Sequence, residues 1–328
     1  MFGGLARPVC MAGEECDRVE KVIEKWPNRI FELTIGEDSN SVKVGGETTL
    51  PFLHFEGEIP NPPKVALEVW DKPPEEWPMI LEEFKEIVSD PILWAKKAEE
   101  WGADLLCLKL VSCHPDIKNN SAQYASDLVK KIIENVKLPL IVIGCGHLEK
   151  DQEILPAVAE TAKGKRILLG MATKDNYKTI TAAALAGEHN IIAETPLDIN
   201  LAKQLNILIS DMGFPLDRIV MHHTTGGLGY GFEYCYTIME RCRLAGLQGD
   251  KIMATPIINM IAQETWKTKE AKASIEEQPN WGDLHKRGIS WEISCSAGYL
   301  QAGSDILVLA HPESIKTVKN IISTLMKK

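Results

Sequence analysis

The chain has 328 residues, of which 45% are hydrophobic and 25% are charged, a composition typical of globular proteins rather than disordered or fibrous ones. Its formal net charge of -10 argues against broad binding to nucleic acid or to anionic lipid. The N-terminal segment lacks the apolar core of a signal peptide, and no run approaches the roughly 18 apolar residues of a membrane helix. We therefore expect a cytoplasmic protein.

Residues 1–63 differ from the rest of the chain and predict an N-terminal arm. Apolar and polar residues alternate over 30–35 and again over 41–44, and a turn-rich link lies between them, which indicates a β-hairpin. A third extended piece is expected to end near Phe55. The run Pro60-Asn61-Pro62-Pro63 then marks a boundary, because proline stiffens the chain and does not continue a helix.

Residues 64–328 alternate short apolar runs with helical segments. The runs are continuously apolar, which is typical of parallel strands covered on both faces. Between them, apolar residues recur at helical spacing, as at Ile315, Val318 and Ile322. Eight such units predict a fold of the α/β class, a (β/α)8 TIM barrel; the alternative is an open doubly wound sheet. The predicted strands are 65–70, 104–111, 138–143, 166–170, 190–193, 218–221, 251–254 and 305–310.

The loops that follow the carboxyl ends of the strands form the functional site of such barrels. Five of the eight histidines fall in these loops. The loop His222–Gly231 combines two histidines, two threonines, four glycines and a tyrosine; glycine at this density allows close backbone approach, although a flexible connection is the alternative. The candidate binding residues on this face are His114, Cys145, His147, Met171, His222, His223, Thr224, Thr225, Gly226, Gly227 and Tyr230.

Other chemistries receive less support from the sequence. Cysteines and histidines at three strand ends could hold zinc or iron, as in a barrel hydrolase or aldolase. Since no Cys-x-x-Cys occurs, we predict no metal ligands and no iron-sulfur cluster held by this chain. The dinucleotide fingerprint, the P-loop and the Gly-x-Ser-x-Gly elbow are also missing. The segment Asp283–Gly288 has the Asp-x-His-x-x-Gly form of cobalamin-binding domains, but only 40 residues follow it, so we interpret the match as a coincidence.

Several longer stretches resemble one family, the small subunit of the corrinoid iron-sulfur protein, which is also known as the delta subunit of the acetyl-CoA decarbonylase/synthase complex. The likeness covers most of the chain from about residue 60. The stretches that carry it are Thr225–Thr237, Glu240-Arg241, Gly249–Met253, Ala66–Asp71, Ala302–Leu307 and His311-Pro312.

The resemblance implies a heterodimer of an anaerobe, in which a large subunit carries a [4Fe-4S] cluster and most of the site for a corrinoid, the cobalt cofactor of the cobalamin type. It also implies methyl transfer from methyltetrahydrofolate, through a methyltransferase, to acetyl-CoA synthase/CO dehydrogenase in the carbon-fixing acetyl-CoA pathway. This chain would be a non-catalytic or accessory subunit that caps the corrinoid. A histidine bound to cobalt is disfavoured, because methyl transfer passes through a low-valent, nucleophilic cobalt that a strong nitrogen ligand would hinder.

The alternative is a pterin-dependent methyltransferase that binds methyltetrahydrofolate itself. Such a barrel needs acidic and asparagine side chains at its strand ends to hold the pterin ring. Asp71, Asn119 and Asn120 are the candidates for that role.

Overall fold

A computed structural model describes residues 22–327 of the chain, so residues 1–21 of the predicted arm lie outside the described part. The first two strands, β1 (Leu33–Glu37) and β2 (Asn40–Val44), pair antiparallel through a tight turn, as the predicted hairpin requires. The prediction of a third extended piece that ends near Phe55 is wrong, because residues 48–57 form bends and turns.

The remaining eight strands form one parallel sheet. They are β3 (Lys64–Trp70), β4 (Leu105–Lys109), β5 (Leu140–Ile143), β6 (Leu168–Ala172), β7 (Asn190–Glu194), β8 (Ile219–His222), β9 (Ile258–Met260) and β10 (Ile306–Leu309). Their order is β8-β7-β6-β5-β4-β3-β10-β9. The sheet nearly closes on itself, since the Met221 N–H donates to the Pro256 carbonyl at 2.8 Å and Met221 bridges Ile257. The predicted barrel is confirmed.

Helices surround the sheet in the βα alternation that the sequence predicts. They are α1 (Pro78–Glu83), α2 (Lys85–Val88), α3 (Pro91–Glu100), α4 (Ala122–Asn135), α5 (Leu148–Thr161), α6 (Tyr177–Ala186), α7 (Ile199–Ser210), α8 (Phe232–Leu247), α9 (Ile261–Trp266), α10 (Leu284–Ala302) and α11 (Pro312–Leu325). Within residues 22–327, none of them is both long and apolar enough to span a membrane.

The seventh strand of the barrel lies later in the chain than the sequence predicts. Residues 251–253 form a 3-10 turn, which begins where the Asp250 carboxylate accepts a hydrogen bond from the Ile252 N–H at 3.2 Å. The strand is instead β9, after Pro256. Thr255 and Pro256 therefore precede this strand and lie at the opposite end of the barrel from the loops that follow the strands.

The hairpin closes the N-terminal end of the barrel. Its Gly36 N–H donates to the Arg166 carbonyl at 3.0 Å, just before β6, and Asn190 at the start of β7 donates to the Thr34 carbonyl at 2.8 Å. Leu33, Ile35 and Val44 of the hairpin join the apolar cluster inside the barrel. The C-terminal face is left as the open end. The domain boundary at residue 63 stays a prediction.

Candidate functional site

A polar layer lies inside the barrel near the carboxyl ends of four strands. Side chains alternate between the two faces of a strand, so a residue two positions after an interior residue also faces the interior. The interior apolar cluster contains Ala66, Cys107, Ile192 and Val220. The side chains two positions beyond these four form the layer: Glu68, Lys109, Glu194 and His222.

Glu68 is fully buried within this layer. Burial raises the pKa of its carboxyl group, and the positive charge of Lys109 and a hydrogen bond from Trp70 oppose that rise. The Trp70 indole N–H donates to Glu68 Oε1 at 2.6 Å. Lys109 Nζ lies 5.5 Å from the centre of the Trp70 ring and donates to Gln263 Oε1 at 2.6 Å. Lys109 is thus the cation that compensates a buried acid.

His222 holds Glu194 at the rim of the same layer. The His222 Nδ1 atom lies 3.2 Å from Glu194 Oε1, and its Nε2 atom lies 3.1 Å from the hydroxyl of Thr225. That hydroxyl accepts the Met260 N–H at 2.8 Å, so it can donate its own proton to His222 Nε2. Burial raises the pKa of Glu194, but the contact with His222 and the charge of Lys109 outweigh it and lower the pKa overall. Glu194 is therefore an anion at neutral pH.

A cavity of about 400 Å³ opens above this layer on the C-terminal face. Its size falls within the roughly 300–1,000 Å³ of ligand-binding pockets. Four carboxylates and one lysine are among its lining residues, which gives the pocket a negative charge. A second, mostly apolar cavity of about 300 Å³ shares four of these residues. The lining residues include Lys109, Gly144, Cys145, Gly146, Asp151, Met171, Thr173, Asp175, Glu194, His222, Thr224, Thr225, Met260, Gln263 and Glu264.

The loop after β5 forms one wall of the pocket and is held by Asp151. The two carboxylate oxygens of Asp151 accept the N–H groups of Cys145 at 2.7 Å and of Gly146 at 3.0 Å. A Cβ atom on Gly144 would lie 2.3 Å from Asp151 Oδ1, so glycine is required there. Burial raises the pKa of the Cys145 thiol to about 12, which keeps it protonated at neutral pH.

The glycine-rich loop after β8 is packed, which argues against a flexible connection. Gly226 and Gly227 are buried, and the Tyr299 hydroxyl contacts both the N–H and the carbonyl of Gly226. A Cβ atom on Gly226 would lie 2.5 Å from the Gly231 carbonyl oxygen. These two glycines therefore allow close approach between backbone segments of this chain.

Five of the eleven predicted site residues line the pocket: Cys145, Met171, His222, Thr224 and Thr225. His223 is completely buried, and its two ring nitrogens have no hydrogen-bond partner among the described residues. Burial lowers the pKa of His223 to about 3. Gly226 and Gly227 support the loop behind the pocket. Tyr230 is half exposed, and its hydroxyl donates to Glu270 at 2.9 Å.

His114 and His147 lie beside each other on neighbouring loops. Their rings meet edge to face with centroids 5.5 Å apart. Each Nδ1 atom accepts a backbone N–H, from Asp116 at 3.1 Å and from Lys150 at 3.4 Å respectively. Each imidazole thus stabilises its own loop, and neither lines the cavity.

The candidate pterin contacts lie in a separate network. The Asp71 carboxylate accepts the Ser112 N–H at 2.8 Å and the Ser112 hydroxyl, and the Asn120 amide donates to that hydroxyl at 2.8 Å. Asp71, Asn119 and Asn120 do not line the pocket.

Four residues of the floor and pocket were not among the predicted site residues: Glu68, Lys109, Glu194 and Gln263. Glu68 and Lys109 lie within predicted strands, whereas the predicted site residues all follow strands. Three of the four stand inside otherwise apolar strand runs, at Lys64–Trp70, Leu105–Lys109 and Asn190–Glu194. A charged residue in a run that must be covered on both faces was the available signal.

Glu83, His285 and His311 form the one grouping of possible metal ligands within residues 22–327. Both histidines place Nε2 near Glu83 Oε2, at 2.9 Å for His285 and 3.3 Å for His311. The His311 Nδ1 atom accepts the Glu313 N–H at 3.1 Å, so its proton is on Nε2 and faces the carboxylate. Hydrogen bonding accounts for this arrangement.

Local contacts also explain the Asp and the Gly of the Asp-x-His-x-x-Gly segment, Asp283–Gly288. Asp283 accepts the Lys286 N–H at 3.0 Å at the start of α10. A Cβ atom on Gly288 would lie 2.5 Å from the Trp266 ring. These contacts favour the interpretation of the motif as a coincidence.

The fold is similar to that of dihydropteroate synthases. The enzyme from Xanthomonas albilineans superimposes with a TM-score of 0.56 and 12% identity, over 85% of this chain and 98% of that one. The Burkholderia cenocepacia enzyme, solved with 7,8-dihydropteroate, superimposes with a TM-score of 0.55 and 11% identity, over 90% of this chain and 97% of that one. The chain is thus a (β/α)8 barrel protein of this architecture, with a polar pocket at its C-terminal face.

Sequence comparisons identify the family. The family of the CO dehydrogenase/acetyl-CoA synthase delta subunit matches residues 32–324, and the chain belongs to it. Subunit delta 1 of the acetyl-CoA decarbonylase/synthase complex of Methanosarcina thermophila is 34% identical, over 99% of this chain and 79% of that protein. The delta subunit of the same complex from Methanocaldococcus jannaschii is 35% identical, over 94% of this chain and 77% of that protein.

Proposed function

We propose that this chain is the subunit of a corrinoid methyl carrier whose C-terminal face covers a corrinoid held mainly by a partner subunit. When bound, the corrinoid supplies the cobalt that accepts and donates the methyl group. The observation that carries the proposal is the open, acidic pocket at this face, bordered by glycines and threonines. A corrinoid is larger than a 400 Å³ cavity, so part of it would enter the pocket and the remainder would lie across the face.

The charge of the pocket supports a corrinoid over an anionic ligand. A cobalt(III) corrin ring carries net positive charge, and its edge bears uncharged amides. Asp151, Asp175, Glu194 and Glu264 outnumber Lys109 among the lining residues, so the field favours a cationic or neutral ligand. A Cβ atom on Gly146 would meet no other atom within 4 Å, so this glycine leaves room for a flat ring to approach the backbone closely.

An apolar rim around the same face supports a protein partner. Of the thirteen large hydrophobic side chains exposed in the described part of the chain, eight lie on loops after barrel strands or in the first turn of helices α5, α7 and α8. Exposed apolar groups concentrated around one polar site are typical of interaction surfaces. The rim residues are Ile117, Leu148, Leu197, Leu201, Tyr230, Tyr234, Ile275 and Trp281.

In this proposal the partner carries the [4Fe-4S] cluster. Burial raises the pKa of the thiols of Cys113, Cys235 and Cys295, all above their ordinary value, whereas a cluster needs thiolate ligands. The methyl group would come from methyltetrahydrofolate through a methyltransferase and would pass to acetyl-CoA synthase/CO dehydrogenase. This chain would shape and shield the cofactor, with no catalytic residue of its own.

The test compares two substitutions of the same type in the native complex. Asp175 is exposed at the pocket mouth, and Asp217 is exposed at the opposite end of the barrel. We expect Asp175→Trp to lower the visible corrinoid absorbance per complex and Asp217→Trp to leave it unchanged. Equal absorbance in the two variants and the wild type would contradict the proposal.

The rival function, direct binding of methyltetrahydrofolate, is tested with the isolated chain. The pocket carboxylates oppose the glutamate tail of a folate, and the candidate pterin contacts lie outside the pocket. We expect no saturable binding of methyltetrahydrofolate by isothermal titration calorimetry. Binding that Glu194→Gln abolishes would favour the methyltransferase function instead.

A further inference from the structure

Lys109 and Glu194 form a donor and an acceptor on the floor of the pocket. The Lys109 ammonium has three N–H donors, and the Gln263 amide oxygen accepts one of them at 2.6 Å. The Glu194 side chain is 32% exposed, so its carboxylate is accessible from the pocket. The floor thus offers N–H donors and a carboxylate acceptor from neighbouring positions of one polar layer.

Glu194 is held in its ionised form by its surroundings. His222 and Lys109 keep Glu194 ionised, and an ionised carboxylate accepts hydrogen bonds but donates none. The Lys109 ammonium donates hydrogen bonds and accepts none. A ligand group that matches both residues must therefore donate to one and accept from the other.

Charge then selects among the groups that can do both. A carboxylate or phosphate would have to approach four carboxylates and only one lysine. A cationic group would be attracted by the carboxylates, but on the floor it would meet the Lys109 ammonium and could accept no hydrogen bond from it. An uncharged primary carboxamide meets neither repulsion, because its NH₂ group donates to Glu194 and its carbonyl accepts from Lys109.

The walls above the floor suit the carbon chain that would carry such an amide. Met171 and Met260 line the pocket with unbranched, adaptable side chains. Glu194 and Thr224 also line the adjoining apolar cavity, whose walls include Leu201 and Leu205. A ligand with an amide-bearing arm and an apolar body could occupy both cavities together.

We propose that the floor of this pocket, built from Lys109 and Glu194, is a subsite for one uncharged primary carboxamide arm of the corrinoid. The inference rests on the proposed function and deepens it, because it names the chemical group that the barrel recognises. His222 is then a positioning residue, which holds Glu194 ionised and oriented. The subsite would reject a corrinoid in which that amide has become a carboxylate.

The experiment uses the native complex freed of corrinoid and then titrated with defined corrinoids, with binding followed by visible absorbance. The probes are cobinamide and its separate monocarboxylate isomers, each with one amide hydrolysed. For one isomer we expect binding at least about 10-fold weaker than that of cobinamide, equivalent to about 1.4 kcal/mol. Glu194→Gln should reduce this difference to less than about threefold, because glutamine removes the charge that repels the carboxylate.

Glu233→Gln is the matched control. It removes the same charge from an exposed position on α8, outside the pocket. Discrimination that persists in Glu233→Gln and disappears in Glu194→Gln supports the subsite. Equal binding of all isomers to the wild type, or loss of discrimination in both variants, would overturn it. If the partner without this chain binds cobinamide as tightly as the native complex does, the proposed function is refuted instead.

Discussion

The Nδ1 atom of His222 lies 3.2 Å from Oε1 of Glu194, and its Nε2 atom faces the hydroxyl of Thr225 at 3.1 Å. Both ring nitrogens therefore lie close to a polar side-chain atom of this chain, Nε2 within hydrogen-bonding distance of a hydroxyl and Nδ1 beside a carboxylate. Binding to a metal through either nitrogen would require one of these contacts to break. His222 thus contributes to the pocket by holding the Glu194 carboxylate in place.

Thr225→Val should destabilise the protein by roughly 1–3 kcal/mol, because valine keeps the shape but leaves the Met260 N–H and His222 Nε2 without their shared hydroxyl. Urea denaturation followed by circular dichroism measures the change. Thr224→Val is the control, since Thr224 is exposed and makes one hydrogen bond, to the Thr195 carbonyl at 3.0 Å. A control that is destabilised as much as Thr225→Val would show that the hydroxyl network has no special role.

His223→Phe should remove part of the acid sensitivity of the protein. The folded-state pKa of His223, about 3, lies below its ordinary value, so unfolding takes up a proton between about pH 6.5 and pH 3. The resulting stability is fully present above pH 6.5 and is lost as the pH falls, at up to about 1.4 kcal/mol per pH unit. Denaturation between pH 7 and pH 4 should give a shallower dependence for the variant. The same slope in both proteins would count against a neutral, buried His223.

Gly226→Ala should be more destabilising than Gly229→Ala. A Cβ atom on Gly226 would lie 2.5 Å from a backbone oxygen, and relief of such overpacking costs about 1–3 kcal/mol. Gly229 has a φ of +74° and open space around it, so alanine there adds only the left-handed strain, about 1 kcal/mol. Thermal unfolding of the two variants decides the order. The reverse order would mean that the loop is not packed as described.

Lys109→Met should destabilise the protein by roughly 1–3 kcal/mol, because Gln263 Oε1 loses its charged donor and the buried Glu68 carboxyl group loses the positive charge that opposes the rise of its pKa. Glu68→Gln in the same chain should recover much of that loss, because the buried negative charge is then gone. A double-mutant cycle of the free energies of unfolding measures the coupling. Additive effects would show that Lys109 does not compensate Glu68.

The fold was predictable because hydrophobic patterning determines it. Seven of the eight predicted strands overlap the observed ones, since a parallel strand buried on both faces must be continuously apolar. The predicted strand at 251–254 was wrong because the segment between α8 and β9 contains an apolar run before the strand itself. There Asp250 caps a turn, and Pro256 precedes the strand that completes the barrel.

The pocket was only partly predictable. Thr224 and Met171 could be placed on the C-terminal face from their position after a strand. The floor depends on inward-facing residues such as Glu68 and Lys109, and their orientation requires the strand register, which the sequence pattern does not specify to one residue. The burial of His223 next to the pocket-lining His222 follows from the same alternation.

In the proposed function, the corrinoid lies against the C-terminal face of the barrel. Cobalt(II) is paramagnetic, so electron paramagnetic resonance can compare its distances to nitroxide labels in the loaded complex. Labels at Ile117→Cys and Ser39→Cys mark the two ends of the barrel, since Ile117 follows β4 and Ser39 is in the hairpin turn. Wild type treated with the same nitroxide reagent controls for labelling of native thiols. We predict the shorter distance from position 117. A shorter distance from position 39, or no cobalt within range of either label, would contradict the account.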